Sequence, residues 1–473
     1  MENTKIYKII QGMPPAARHK VAPFLATYAG GEQTLSYRLF QEIVDHLEYG
    51  TNRLERRAVW DRLHAEKAYK DQTFRKLCAD LTRNIESAIS ALHLDDSELD
   101  RRLHYLKYLK EQNFDHDLIK KEIVKSHKLF LDGNGIGDPG YYQRFRLEEL
   151  GYENEYRSGS AWKKSNINRI DENLNAFFVL EKLRLALSIF TRQKYIQFER
   201  ELPFLEVIFE LIESGRMDEY PLIKLYHYAV LTYQSDDGEE NYHKLKDGLL
   251  DLPSLVGNSY VRELITIALS YCIGKINQNQ ALFYREALNW YQVMIRENML
   301  IEHDHLAATT YRNIILIAIR LQEYAWATDF AQTYSVYLKS DTRESTMMLS
   351  LGQIAFNQKD YDQVLENLMS VDYLSLSYNL QSKLILAATY YELGEIDLLS
   401  NFLPTFSTYL RRKKQSLSPD KYKRHQKFIN ILTQITKTPD WEATKWQDLK
   451  DQLDEDHEIV SYAWLVEKVS EKL

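Results

Sequence analysis

The sequence predicts an all-α fold, a right-handed superhelical solenoid of degenerate helix pairs with helical caps, and three observations predict it. Only 17 glycines and 10 prolines occur in 473 residues, whereas strands joined by tight turns need such residues at every corner. Apolar residues recur at helical spacing on both sides of short polar turns, most clearly across "TRESTMMLSLGQIAFNQKDYDQVLENLMSVDY" at 342–373. The same arrangement returns at intervals of 42, 40, 37 and 35 residues between Tyr242, Tyr284, Tyr324, Tyr361 and Ile396, as in arrays of stacked helical units.

Four regions follow in order. Residues 1–95 form an N-terminal helical domain with three amphipathic helices in "LSYRLFQEIVDHL", "RRAVWDRLHAE" and "QTFRKLCADLTRNIESAISALHL". The last two, joined by "KAYKD", have the order of a helix-turn-helix unit. Nine basic residues face five acidic ones between Arg53 and Arg83, but Asp71, Asp80 and Glu86 interrupt the positive charge that a DNA-reading helix concentrates. Residues 96–235 form irregular helix pairs, with Phe114 and Tyr195 at the aromatic turn position. Residues 236–410 carry the repeats, and 411–473 a basic segment followed by capping helices.

Within 351–371, "LGQIAFNQKDYDQVLENLMSV" resembles the tetratricopeptide repeat. Leu351 and Gly352 match its leucine and small residue, Phe356 its aromatic on the first helix, and Tyr361 the aromatic opening the second. Ala287 and Ala327 match the small residue of the second helix, whereas Val364 and Leu399 depart from it. The order of blocks along the whole chain, including "RFRLEEL" at 144–150 and "LEKLRLAL" at 180–187, resembles a family of long, uncharacterised bacterial helical proteins, which carries no activity with it. The repeat resemblance implies a concave groove lined by first-helix positions. Carried over, these are Arg312, Leu316, Ile319 and Arg320, then Gln353, Phe356 and Asn357, then Leu384, Tyr391 and Glu392. Such a groove suits an extended peptide or protein partner that carries an acidic residue.

The stretch "LFLDGNGIGDPGYYQRF" crowds four glycines into eight positions. A dinucleotide loop through Gly135, Gly137 and Gly140 needs a strand before it, and helix-like sequence stands there instead. A calcium loop starting at Asp132 would put Ile136 and Gln143 where oxygen ligands are required. The residues read better as a helix stop at Gly133 and a helix start near Asp138 and Pro139. His303 and His305 diverge on a helix, and His116 stands between two acids, so none has the i, i+4 spacing of helical metal ligands. No hydrolase, nucleotide or cysteine motif is legible, and the reading assigns no catalytic residue, cofactor or metal. Cys78 and Cys272 stand far apart, as reduced core residues of a cytoplasmic protein do. No apolar run is long enough for a membrane span. Oligomeric state is not legible.

One charge feature stands out. Arg411, Arg412, Lys413, Lys414, Lys421, Lys423, Arg424 and Lys427 face Asp420 alone, a net +7 in a chain of net −8. This strip suits an anionic partner: nucleic acid, an acidic peptide or the acidic segment "DLKDQLDEDHE" of the same chain. The expected function is a non-catalytic peptide- or protein-binding scaffold. The alternative is a nucleic-acid-associated regulator using the N-terminal helices or the strip.

Overall fold

A computed structural model describes residues 1–473 except 51–52, 65–66, 133–139, 158–165, 194–200, 235–237, 253–258, 303, 372 and 374. Residues 133–139 of the glycine-rich stretch, Tyr195 and His303 therefore lie outside the described residues. Among those described, the chain is all-α, with helices packed in neighbouring pairs and no named strand. It divides into two compact units, 1–264 and 265–473.

The first unit opens with α1 (Lys5–Gly12), α2 (Pro15–Ala29), α3 (Leu35–Tyr49), α4 (Arg56–Leu63) and α5 (Asp71–Asp96). The first two of these precede the three helices read from sequence. Pro15 at the first turn fixes a helical φ where no N–H is needed, so proline starts α2 rather than preventing it. Phe74, Leu81, Ile85 and Ala88 line one face of α5, which packs on α2 and α3. On its outer face Arg75 and Arg83 pair with Asp71 and Asp80 of the same helix. There follow α6 (Glu98–Glu111), α7 (His116–Asp132), α8 (Tyr141–Arg157), α9 (Ile167–Gln193), α10 (Leu205–Glu213), α11 (Pro221–Gln234) and α12 (Gly238–Leu250). A small core of Leu106, Leu109, Ile119, Ile123, Leu147 and Leu150 joins α6, α7 and α8. The glycine-rich stretch is thus entered from α7 and left into α8.

The second unit begins within α13 (Ser259–Asn277) and continues with α14 (Leu282–Arg296), α15 (Ala308–Arg320), α16 (Tyr324–Tyr334), α17 (Arg343–Gln358), α18 (Tyr361–Met369), α19 (Leu376–Glu392) and α20 (Ile396–Arg412). It ends with α21 (Pro419–Lys437), α22 (Ala443–Glu455) and α23 (Tyr462–Ser470). One turn design recurs here. Asn279, Gln322, Lys359 and Gly394 each adopt positive φ, and the next N–H bonds the carbonyl five residues back: Gln280 to Lys275, Glu323 to Ala318, Asp360 to Ala355, Glu395 to Tyr390. That is the Schellman closure of a helix end. Only one of the four turn residues is glycine, so the turns between helices read from sequence leave little mark on the glycine count.

The close approach expected at Gly352 is present, because an added methyl group there would lie 2.5 Å from Leu368 Cδ2 and 2.8 Å from Leu368 Cγ. Ala287, Ala327, Val364 and Leu399 are all fully buried. The position therefore accepts a larger side chain in the later pairs. Helix α17 touches both α15 and α19, so first helices of successive pairs are neighbours.

Candidate ligand cleft

A cleft of about 570 Å3 opens between α17, α19, α21 and the residues that precede α23. Helix α19 supplies Ser377, Gln381, Leu384 and Ile385, spaced so that all four share one face. From α17 comes Gln353, and from α21 come Asp420, Lys421, Arg424 and His425. Ile459, Val460 and Ser461 close the remaining side.

The polar groups are held in place by their neighbours. Ser418 caps α21 by accepting the Lys421 N–H at 3.3 Å, and Lys421 Nζ lies 3.5 Å from Ser377 Oγ. Gln381 Oε1 accepts from Arg312 Nη2 at 2.6 Å, while the Arg312 guanidinium carbon sits 4.9 Å over the Tyr378 ring. Burial holds the Arg312 pKa below its ordinary value. Two cations, Lys421 and Arg424, thus face the single carboxylate of Asp420, at the N-terminal end of a helix whose dipole adds positive potential.

His425 is 4% exposed. Its Nδ1 stands 2.7 Å from the Lys421 carbonyl, which can only accept, so Nδ1 carries the proton and the neutral ring keeps Nε2 as an acceptor. Burial first, then the Lys421 and Arg424 charges, hold its pKa below the usual imidazole value against the pull of that carbonyl. His127 and His227 are likewise lowered, chiefly by burial. Between the folded values and about 6.5 the unfolded chain binds more protons than the folded one, so this stability is complete above about pH 6.5 and lost as pH falls. Urea unfolding should show a lower midpoint at pH 5.5 than at 7.5, and His227→Leu should narrow the difference. A midpoint that rises on acidification, or a slope unmoved by His227→Leu, counts against this assignment.

Of the groove positions expected from sequence, Gln353 and Leu384 line the cleft and Arg312 supports it through Gln381. Leu316, Arg320 and Asn357 are exposed, Ile319 is buried, and Phe356 packs beside Tyr361 with ring centres 5.9 Å apart. Tyr391 and Glu392 are covered by α23. The Trp464 ring meets Tyr391 edge to face at 5.6 Å, and Trp464 Nε1 donates to Glu392 Oε1 at 2.7 Å. Lys468, 5% exposed, sits 3.1 Å from Glu392 and also pairs with Glu467 and Glu471. Burial opposes its charge, but these three hydrogen bonds outweigh it and raise the pKa.

Within the basic strip, Lys421 and Arg424 reach the cleft, so half-buried and exposed members of the strip meet the groove positions in one place. Lys427 pairs with Asp456 of the acidic segment, which lowers the Asp456 pKa. Arg411, Arg412, Lys413, Lys414 and Lys423 are exposed. Sequence reasoning missed Ser377, Gln381, Ile385, His425 and 459–461. Extending the helical face back from Leu384 by one and two turns would have found Gln381 and Ser377, whereas 459–461 arrive through tertiary packing alone.

Among the described residues no helix is long and apolar enough to cross a membrane. No protein-family model matches the chain, and neither a curated protein nor a solved structure is significantly similar to it.

Proposed function

We propose that the chain is a non-catalytic scaffold, a right-handed tetratricopeptide-like stack whose cleft seats an acidic residue of an extended peptide. The observation that carries this reading is the cleft itself. Two cations, three neutral hydrogen-bonding side chains in Gln353, Ser377 and Gln381, and the apolar Leu384 and Ile385 offer a carboxylate its charge partners and the adjoining chain its amide and apolar contacts. The recurring turns and the succession α15, α17, α19 support a stack of repeats. The test is fluorescence anisotropy of the full chain with labelled peptides that differ only in glutamate or glutamine at one central position. The glutamate peptide should bind about tenfold tighter or more, as a charge-assisted pair beside a neutral one does. Equal affinities would remove the basis for the reading.

A second reading, nucleic-acid association, is favoured by one observation. Arg411, Arg412, Lys413 and Lys423 are exposed with no ion pair among the described residues, and Lys414 sits 5.2 Å over the Tyr422 ring. The N-terminal helices offer less, since Arg75 and Arg83 already have carboxylate partners on α5, although Lys76 is exposed. If the strip neutralises phosphates, replacing Arg411, Arg412, Lys413 and Lys414 by glutamate should flatten the log–log salt dependence of binding by ~0.7 per lost contact for single strands and ~0.9 for duplex DNA. No binding of either at low salt ends this reading.

A further inference from the structure

A second cavity, of about 270 Å3, lies in the first unit between the first turns of α8 and α13 and the middle of α9. Tyr141, Tyr142, Phe177 and Tyr260 wall it, with Leu180 and Gln143 beside them and the Glu181 carboxylate among the rings. An ordinary apolar core would close over such rings. Here Tyr142 is 47% exposed, and its ring stands 5.3 Å from Phe177 at 47°, so the two are splayed rather than stacked. Tyr141 is buried and braced edge to face on Tyr220, with centroids 5.4 Å apart. The Arg184 guanidinium lies 4.6 Å over the Tyr260 ring and donates to Glu181 Oε1 at 2.9 Å. One ring and one carboxylate oxygen thus already serve a cation. Glu181 is the carboxylate of the cavity wall; Arg184 also pairs with Glu263 at 3.1 Å, which accepts from the Tyr226 hydroxyl, and Asp100 accepts from Gln143.

We infer that this cavity binds a trimethylammonium group. Ring faces carry negative electrostatic potential and a carboxylate adds to it, which selects a cation over a neutral group of the same shape. A quaternary ammonium has no N–H to satisfy and can rest on the rings alone, whereas a primary one would turn to the tyrosine hydroxyls and to Glu181, one of whose oxygens Arg184 already occupies. The chemistry is shared by free quaternary amines and trimethyllysine side chains.

Calorimetric titration of the full chain with choline and with 3,3-dimethylbutan-1-ol, its uncharged isostere, separates charge from shape. Choline should bind about tenfold tighter or more. Tyr142→Ala and Phe177→Leu should abolish that preference and Glu181→Gln weaken it, while Phe177→Tyr retains it. Each variant must keep the parent's thermal midpoint and circular dichroism. Equal affinity for choline and the alcohol, or a preference that survives both ring substitutions in folded protein, overturns the inference. An N-acetyl trimethyllysine amide run beside choline identifies the source by the tighter of the two, and binding of neither overturns the inference as well. Because the cavity belongs to the other unit, this outcome is independent of the peptide cleft.

Discussion

Reversing Lys421 and Arg424 together to glutamate lowers affinity for an acidic peptide by about a hundredfold, since it removes two charge partners and places two like charges against the peptide carboxylate, a juxtaposition that costs several kcal/mol. The effect should sit in the dissociation rate, because Lys421 is half-buried between α21 and Ser377 rather than at a rim. Affinity for the matching glutamine peptide should change much less. Asp420→Asn should act in the opposite direction by removing the one carboxylate in the wall. Neither change touches the core, as Asp420 and Arg424 are exposed and Lys421 is half-buried outside the apolar cluster, so unfolding midpoints should stay near that of the parent. If both peptides weaken equally, the double variant has disturbed the fold of the cleft and not its charge. If neither weakens, peptide binds elsewhere.

Replacing Gly352 by valine should destabilise the second unit by about 3 kcal/mol, at the upper end of overpacking costs. Two atoms of Leu368 occupy the space a Cβ needs, and Leu368 is 2% exposed, hemmed in by the same core as Val364 and Leu384. A branched side chain must therefore push α18 away from α17. Alanine should cost less, because its higher helix propensity returns up to about 1 kcal/mol. The double variant Gly352→Val, Leu368→Ala should recover part of the loss, and that coupling distinguishes a steric cause from a backbone one. Urea unfolding gives the size of the effect. Hydrogen exchange should localise it to α17–α20 before the first unit responds. A stability unchanged by valine would mean that the helices separate at little cost.

The pair α17 and α18 was legible because its information is local: a helical stripe, a polar turn and a second stripe within thirty-odd residues. Helices α1 and α2 were not, since "GMPPAARHK" looks like a breaker until proline is placed at a first turn. The cleft was half legible. Periodicity gave Gln353 and Leu384, and charge gave Lys421 and Arg424, but no pattern in the chain says that α19 and α21 meet across Ser377 and Lys421, 44 residues apart. Tyr391 and Glu392 illustrate the converse. The repeat resemblance places them in an open groove, and α23 covers them instead. Repeat arithmetic carries no term for a neighbour that does not belong to the repeat.

That later helix also imposes an order in time. Trp464 follows Glu392 by 72 positions, so when α19 leaves the ribosome its Tyr391 face has no indole to meet and the Glu392 carboxylate has the Tyr361 hydroxyl but neither Trp464 nor Lys468. Chains emerge at about 5–20 residues per second, which leaves this surface bare for several seconds during every round of synthesis. Through that interval the nascent second unit presents an aromatic ring beside a carboxylate that lacks its cation, and any early binder that mimics a tryptophan next to a lysine competes with the chain's own α23 for the same place.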